Sequence, residues 1–148
     1  METSTKNTRP AEIVNILVVG NNPIEMGNIL DKLNQINSIK VVTEIAFDTQ
    51  SIKERLVRFE PALVLIDDNI GRPELKEVVS ALSVGKKTKN VPITILKNSN
   101  YNESLAASSI LDYLLKQNLS SESLYCTVKN IIRFRRTLQQ LLIQAQTV

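Results

Sequence analysis

The stretch Ala62-Leu63-Val64-Leu65-Ile66-Asp67-Asp68-Asn69 constrains the fold more than any other part of the chain. An apolar run of this length with β-branched residues, bounded by Pro61 and Gly71, reads as a strand buried on both faces. Such a strand belongs in a parallel sheet covered by helices on each side. In open sheets of that kind, ligands and chemistry collect at the carboxyl ends of the strands. Asp67 and Asp68 stand at such an end, two carboxylates closing an otherwise aliphatic run.

The rest of the chain supplies the partners that this strand requires. Residues 1–12 form a polar tail. Ile13 to Val19 is a first apolar strand ending at Gly20-Asn21-Asn22-Pro23, with Asn22 suited to an N-cap and Pro23 to the first helical position. Met26, Ile29, Leu30 and Leu33 then repeat at helical spacing. Ile39 to Phe47 reads as a second strand and Asp48 to Phe59 as a second helix with Ile52, Leu56 and Phe59 inward. After the Asp67 strand, Pro73 opens a helix with Leu75, Val78, Val79 and Leu82 inward and Gly85 as its stop. Val91 to Leu96 is a fourth strand, and residues 103–107 suit one short helix. Ile110 to Leu115 is a fifth strand, and Ser120 or Ser121 caps a last helix reaching about Gln146. Strands alternating with helices in units of about 20 to 30 residues predict a doubly wound α/β fold with a five-stranded parallel sheet. The strand order expected at this size is 2-1-3-4-5.

Composition narrows the chemistry. At 148 residues the chain is long enough for one domain with a full core. It has no His, which removes His-based acid/base catalysis and most zinc sites. Its one cysteine, Cys126, excludes an internal disulfide and fits a reducing, cytoplasmic setting. No apolar run approaches membrane-spanning length, so no membrane insertion is expected. The net charge of +3 is uneven. From residue 116 onward Lys116, Lys129, Arg133, Arg135 and Arg136 face Glu122 alone, and the remainder of the chain is slightly acidic.

With these motifs in order, the chain resembles the receiver domain of two-component response regulators. Ile16-Leu17-Val18-Val19-Gly20-Asn21-Asn22-Pro23 looks like the family's first strand and acidic turn without the acidic pair. Pro61 to Asp67 resembles the strand that ends in the phosphoacceptor aspartate. Val91-Pro92-Ile93-Thr94-Ile95-Leu96 resembles the fourth strand. Asp112-Tyr113-Leu114-Leu115-Lys116 resembles the fifth, with its switch aromatic and its lysine. The resemblance spans residues 13–136 and leaves 137–148 as an extension of the last helix. It implies a flavodoxin-like receiver fold that is not itself an enzyme. It also implies Asp67 as candidate phosphoacceptor, Lys116 as its partner, Tyr113 as switch residue, and a histidine kinase or other signalling protein as partner.

The departures from the family pattern set the expected chemistry. The family holds Mg²⁺ with two acidic residues after the first strand, where Gly20 and Asn21 stand here. Its hydroxyl residue after the fourth strand is Lys97, and its proline after the fifth-strand lysine is Gln117. Mg²⁺ is a hard cation that prefers carboxylate oxygens. Asp67, the Asn21 amide and the Asn69 backbone carbonyl remain to bind it, with Asp68 able to substitute only if its loop turns it inward, so weak or absent binding is expected. Two ammonium groups, Lys97 and Lys116, would flank Asp67 in place of metal plus lysine and shield it from attack on phosphorus. The expectation is a degenerate, interaction-only receiver.

The last helix exceeds what a receiver needs to cover its sheet. About 26 residues span about 39 Å. Leu124, Val128, Ile131, Leu138 and Leu142 form an interrupted heptad seam, and Phe134, Leu141 and Ile143 add apolar surface. Phe134, Leu138 and Leu142 are therefore candidate interaction residues. The expected uses are, in order, a homodimer, docking on another protein, and contact with nucleic acid through the basic stripe. Two other classes compete with a receiver: a flavodoxin-like small-ligand or enzyme domain, and a nucleic-acid binder. Gly20-Asn21-Asn22 is no phosphate-cradling glycine loop, and no helix-turn-helix is present.

Overall fold

The computed structural model describes residues 13–98, 110–116 and 119–147, with the backbone alone for 110–113 and 146–147. The elements follow in the order β1 (Ile13–Val19), α1 (Pro23–Asn34), β2 (Lys40–Ala46), α2 (Thr49–Leu56), β3 (Leu63–Asp67), α3 (Arg72–Val84), β4 (Ile93–Lys97), β5 (Ile110–Leu115) and α4 (Ser121–Thr147). The five strands form one parallel sheet in the order β2-β1-β3-β4-β5. The short helix expected at 103–107 and Gln117 lie outside the described residues.

The helix termini follow from their sequences. Asn22 caps α1, its Oδ1 accepting from Ile24 N and Glu25 N, and Pro23 fills the first helical position. Asp48 and Ser51 close α2 with a reciprocal capping box. Ser120 and Ser123 do the same for α4, each hydroxyl accepting from the other's backbone N–H at 3.0 Å. Between β3 and α3 the chain makes a 3-10 turn over Asp68–Ile70 that the sequence reading did not anticipate. Gly71 leaves that turn with φ 99, a left-handed conformation that side chains rarely adopt. Gly85 does end α3, but in an extended conformation. The Thr88 hydroxyl, donating to Leu82 O at 2.6 Å, completes that end.

Strand alternation divides the core into two layers. Val14, Ile16, Val18, Leu63, Leu65 and Leu96 meet Met26, Ile29 and Leu33 of α1 and Leu124, Val128 and Ile131 of α4. Leu17, Val19, Val64, Ile66, Ile93 and Ile95 meet Ile52 of α2 and Leu75, Val78, Val79 and Leu82 of α3. All five residues of β3 are buried, as expected for a central strand of a sheet covered on both faces. Asp67 continues the series of Leu63 and Leu65, so its side chain belongs to the layer under α1 and α4. Among the described residues no helix is long and apolar enough to cross a membrane.

Candidate functional site

Three strand ends and one helix start meet at the carboxyl edge of the sheet. β3 delivers Asp67, which is fully buried. β5 delivers Lys116, whose Nζ lies 2.5 Å from Asp67 Oδ1. The first turn of α1 delivers Glu25, whose Oε1 accepts from the same ammonium at 2.8 Å. Asp68 Oδ1 stands 4.0 Å from it. One ammonium thus gathers three carboxylates.

Asparagines bind this cluster to the surrounding loops. Asn69 N donates to Asp67 Oδ1 at 3.0 Å, so Asp67 also caps the 3-10 turn. Asn69 Nδ2 donates to Glu25 Oε2 at 2.7 Å. From the end of β4, Asn98 N donates to both oxygens of Asp68 at 3.2 Å, and Asn98 Nδ2 approaches Asn69 Oδ1 at 3.4 Å. Burial alone would lower the Lys116 pKa. The hydrogen bonds and charges of Asp67 and Glu25 outweigh it and hold that pKa above the ordinary lysine value.

Asp67 Oδ1 carries the two donors above, and Oδ2 is buried with no hydrogen-bond partner among the described residues. Lys97 is also nearly buried, at 8% exposure. It falls one position past Leu96, the register partner of Asp67, and alternation assigns it to the series of Ile93 and Ile95 rather than to that of Asp67. The arrangement with two lysines on Asp67 is therefore not the one formed. Lys116 takes that contact, and Glu25 is the additional charged group.

The flank where acidic residues were missed in the sequence is apolar in space. Gly20 is buried, and a Cβ added to it would overlap Met26 Sδ and come within 3.2 Å of Asp67 Cβ. Asn21 is exposed. Beyond Gly20 lies an open hollow of about 450 Å³ walled by Met26, Leu30, Ile45 and Phe47. Among the described residues no three Cys, Asp or Glu side chains are grouped to hold a metal ion. The side chain of Tyr113 lies outside the described residues. Phe134, Leu138 and Leu142 are exposed on α4, at the other end of the sheet.

Sequence reasoning missed Glu25 and Asn98. Glu25 looked like an ordinary acidic residue in a first helical turn, favoured there by the helix dipole. Only the fold shows that this turn overhangs Asp67.

No family model matches the chain, and no curated protein matches its sequence. Solved structures match its fold. The chemotaxis response regulator CheY4 of Vibrio cholerae superposes with a TM-score of 0.63 at 20% identity, over 80% of this chain and 98% of that one. A signal receiver domain of an HD domain-containing protein from Pseudomonas fluorescens Pf-5 gives 0.68 at 12% identity, over 85% and 99%. A response regulator receiver modulated diguanylate cyclase from Pelobacter carbinolicus gives 0.63 at 18% identity, over 86% and 98%. The five-stranded sheet in 2-1-3-4-5 order, with its buried aspartate ending the central strand, therefore gives this chain the fold of the response-regulator receiver domains.

Proposed function

We propose that the protein is a receiver-like signalling module of the two-component type that acts by protein–protein contact. Asp67 is its candidate phosphoacceptor, held in one state by the chain's own side chains. The observation that carries this reading is the Lys116 ammonium, shared by Asp67 and Glu25 at 2.5 and 2.8 Å. A carboxylate attacking phosphorus needs positive groups free to receive charge from the phosphoryl oxygens. Here Lys116 is already neutralised by two carboxylates, and Asn69 is engaged by Glu25.

The Mg²⁺ that this fold family implies does not fit the described residues. Asp67 Oδ2, which has no hydrogen-bond partner among the described residues, is an oxygen that would suit a cation. At Gly20, where the family places an acid, stands the Met26 thioether, a soft group unsuited to a hard ion. Glu25 is engaged by Lys116 and Asn69, and Asp68 accepts from Asn98 N. No step through a metal follows from this site.

Intact-mass analysis after incubation with acetyl phosphate and Mg²⁺, beside Asp67→Asn, tests the reading. No adduct on either protein is expected. A phosphate adduct on the wild type alone would show that Asp67 works despite Gly20 and Lys116, and the interaction-only reading would fall.

The apolar hollow beside Gly20 favours a second reading, a small-ligand-binding domain. Visible or near-ultraviolet absorbance of a ligand retained by the purified protein would select it over the first.

A further inference from the structure

We propose that the open hollow between α1 and the end of β2 is a binding site for a small uncharged aromatic molecule, and that Gly27 keeps it open. The proposal rests on the second reading above for the use of this hollow and names its ligand. It is independent of the chemistry at Asp67.

The hollow exists because a side chain is missing from it. Its volume of about 450 Å³ falls within the roughly 300–1,000 Å³ of clefts that take up a whole small molecule. Gly20 at the end of β1, Met26, Gly27 and Leu30 of α1, and Ile45 and Phe47 at the end of β2 line it. Gly27 stands within α1, where glycine is the poorest helix former after proline. The backbone does not require it, since among the described residues Gly71 is the one glycine with a positive φ. The packing does not require it either, because a Cβ added at Gly27 meets no atom within 4 Å. Gly20 differs, since a Cβ there overlaps Met26 Sδ. Gly27 thus leaves vacant a position that any larger residue would fill, and that vacancy belongs to the hollow.

The lining selects the ligand. None of the residues around the hollow is charged, so an ion entering it would lose hydration without gaining a partner. The backbone beneath is already engaged in the sheet, Gly20 N donating to Ala46 O at 3.0 Å. Asn21, which is exposed, is the one polar side chain of the lining. The ligand is therefore apolar, with room for one polar group turned toward Asn21. Two groups then favour an aromatic ring over an aliphatic body. The Phe47 ring, 57% exposed, is free to stack on another ring. The Met26 thioether supplies a sulfur, which makes favourable contacts with aromatic rings.

Titration of the full chain with indole, followed by two-dimensional amide NMR, tests this. Indole-3-acetate serves as the charged analogue and cyclohexanol as the aliphatic one. Saturable binding of indole is expected, with the largest shifts at Gly20, Gly27, Ile45 and Phe47, and at least tenfold weaker binding of the other two. Gly27→Leu is expected to fill the hollow and abolish those shifts while raising the Tm, because leucine is the better helix former. Phe47→Leu, at an exposed position, is expected to weaken indole about three- to tenfold. Equal binding by wild type and Gly27→Leu would overturn the proposal, and so would a Gly27→Leu melt below that of the wild type, which would show that the position is not vacant. Cyclohexanol or indole-3-acetate binding as tightly as indole, shifts confined to other parts of the chain, or no saturable binding would also overturn it. A capped tripeptide with a central tryptophan binding more than tenfold tighter than indole would assign the hollow to a partner protein's side chain instead. The reading beneath the proposal fails separately, through the absence of ligand absorbance in the purified protein.

Discussion

Lys116 Nζ stands 2.5 Å from Asp67 Oδ1, joining the end of β5 to the end of β3 across the end of β4. Asp67 is fully buried, and the Lys116 side chain is 12% exposed. Removing one partner of a buried pair strands the other charge, which costs about 3 kcal/mol or more. Lys116→Met is therefore expected to lower unfolding free energy by about 3 kcal/mol in urea titrations. Lys116→Met with Asp67→Asn is expected to recover most of that loss. A single-variant loss below about 1 kcal/mol, the worth of an exposed pair, would mean that the contact is solvated.

The same ammonium sets an alkaline limit on stability. Burial draws the Lys116 pKa down, but Asp67 and Glu25 raise it above the ordinary lysine value of 10.5. The folded state thus binds this proton more tightly than the unfolded chain. Its contribution is complete below pH 10.5 and is lost as pH rises through the folded-state pKa. Chemical denaturation from neutral pH into this alkaline range is expected to show the gap between wild type and Lys116→Met narrowing. A gap that stays constant would exclude the linkage.

Gly20 and Met26 together decide whether an acid fits beside Asp67. A Cβ at Gly20 overlaps Met26 Sδ, so Gly20→Asp alone overpacks the site and is expected to cost about 1–3 kcal/mol. Gly20→Asp with Met26→Ala removes the obstruction and supplies a second carboxylate beside Asp67, whose Oδ2 has no hydrogen-bond partner among the described residues. Saturable Mg²⁺ binding by calorimetry is expected for the double variant and not for the wild type. Saturable binding by the wild type would refute the proposed mismatch between this site and the ion.

The framework was legible because it rests on periodicity. β1, β5 and the N-cap at Asn22 stand where the sequence put them, and every residue assigned to the inner face of α3 is buried. Leu56 and Phe59 of the second helix are only partly buried, since α2 ends at Leu56. The site was legible only where it lies on strands, at Asp67 and Lys116. Glu25, Asn98 and the side chain of Asn69, which the sequence reading used only for its backbone carbonyl, enter through contacts reaching between loops, and no sequence spacing encodes a contact between residues 25 and 116. Lys97 was misjudged for a related reason: one step along a strand turns a side chain to the other face.

The second half of α4 is expected to contribute little to the fold. The core contacts of the helix end with Ile131 and Ile132, and Leu138, Leu141, Leu142 and Ile143 are exposed. A chain ending at residue 136 is therefore expected to keep its urea midpoint nearly unchanged, with a loss under about 1 kcal/mol, as for exposed positions in general. A larger loss would place the extension inside the cooperative unit.

Ser51 is a small side chain with three duties. It is 3% exposed, and its Oγ accepts from Phe47 N at 2.8 Å and Asp48 N at 3.0 Å while donating to Asp48 O at 3.1 Å. That uses the full capacity of a hydroxyl. Ser51→Ala leaves two backbone donors without their acceptor, and a loss of about 2 kcal/mol is expected. Across the same cap, the backbone and side chain of Ser51 hold the Asp48 carboxyl below its ordinary pKa of 3.8. A depressed folded-state pKa means a contribution present above pH 3.8 and lost as pH falls through the folded value. Asp48→Asn is therefore expected to flatten the acid side of the stability curve, and an unchanged acid limb would show that the cap is not charged.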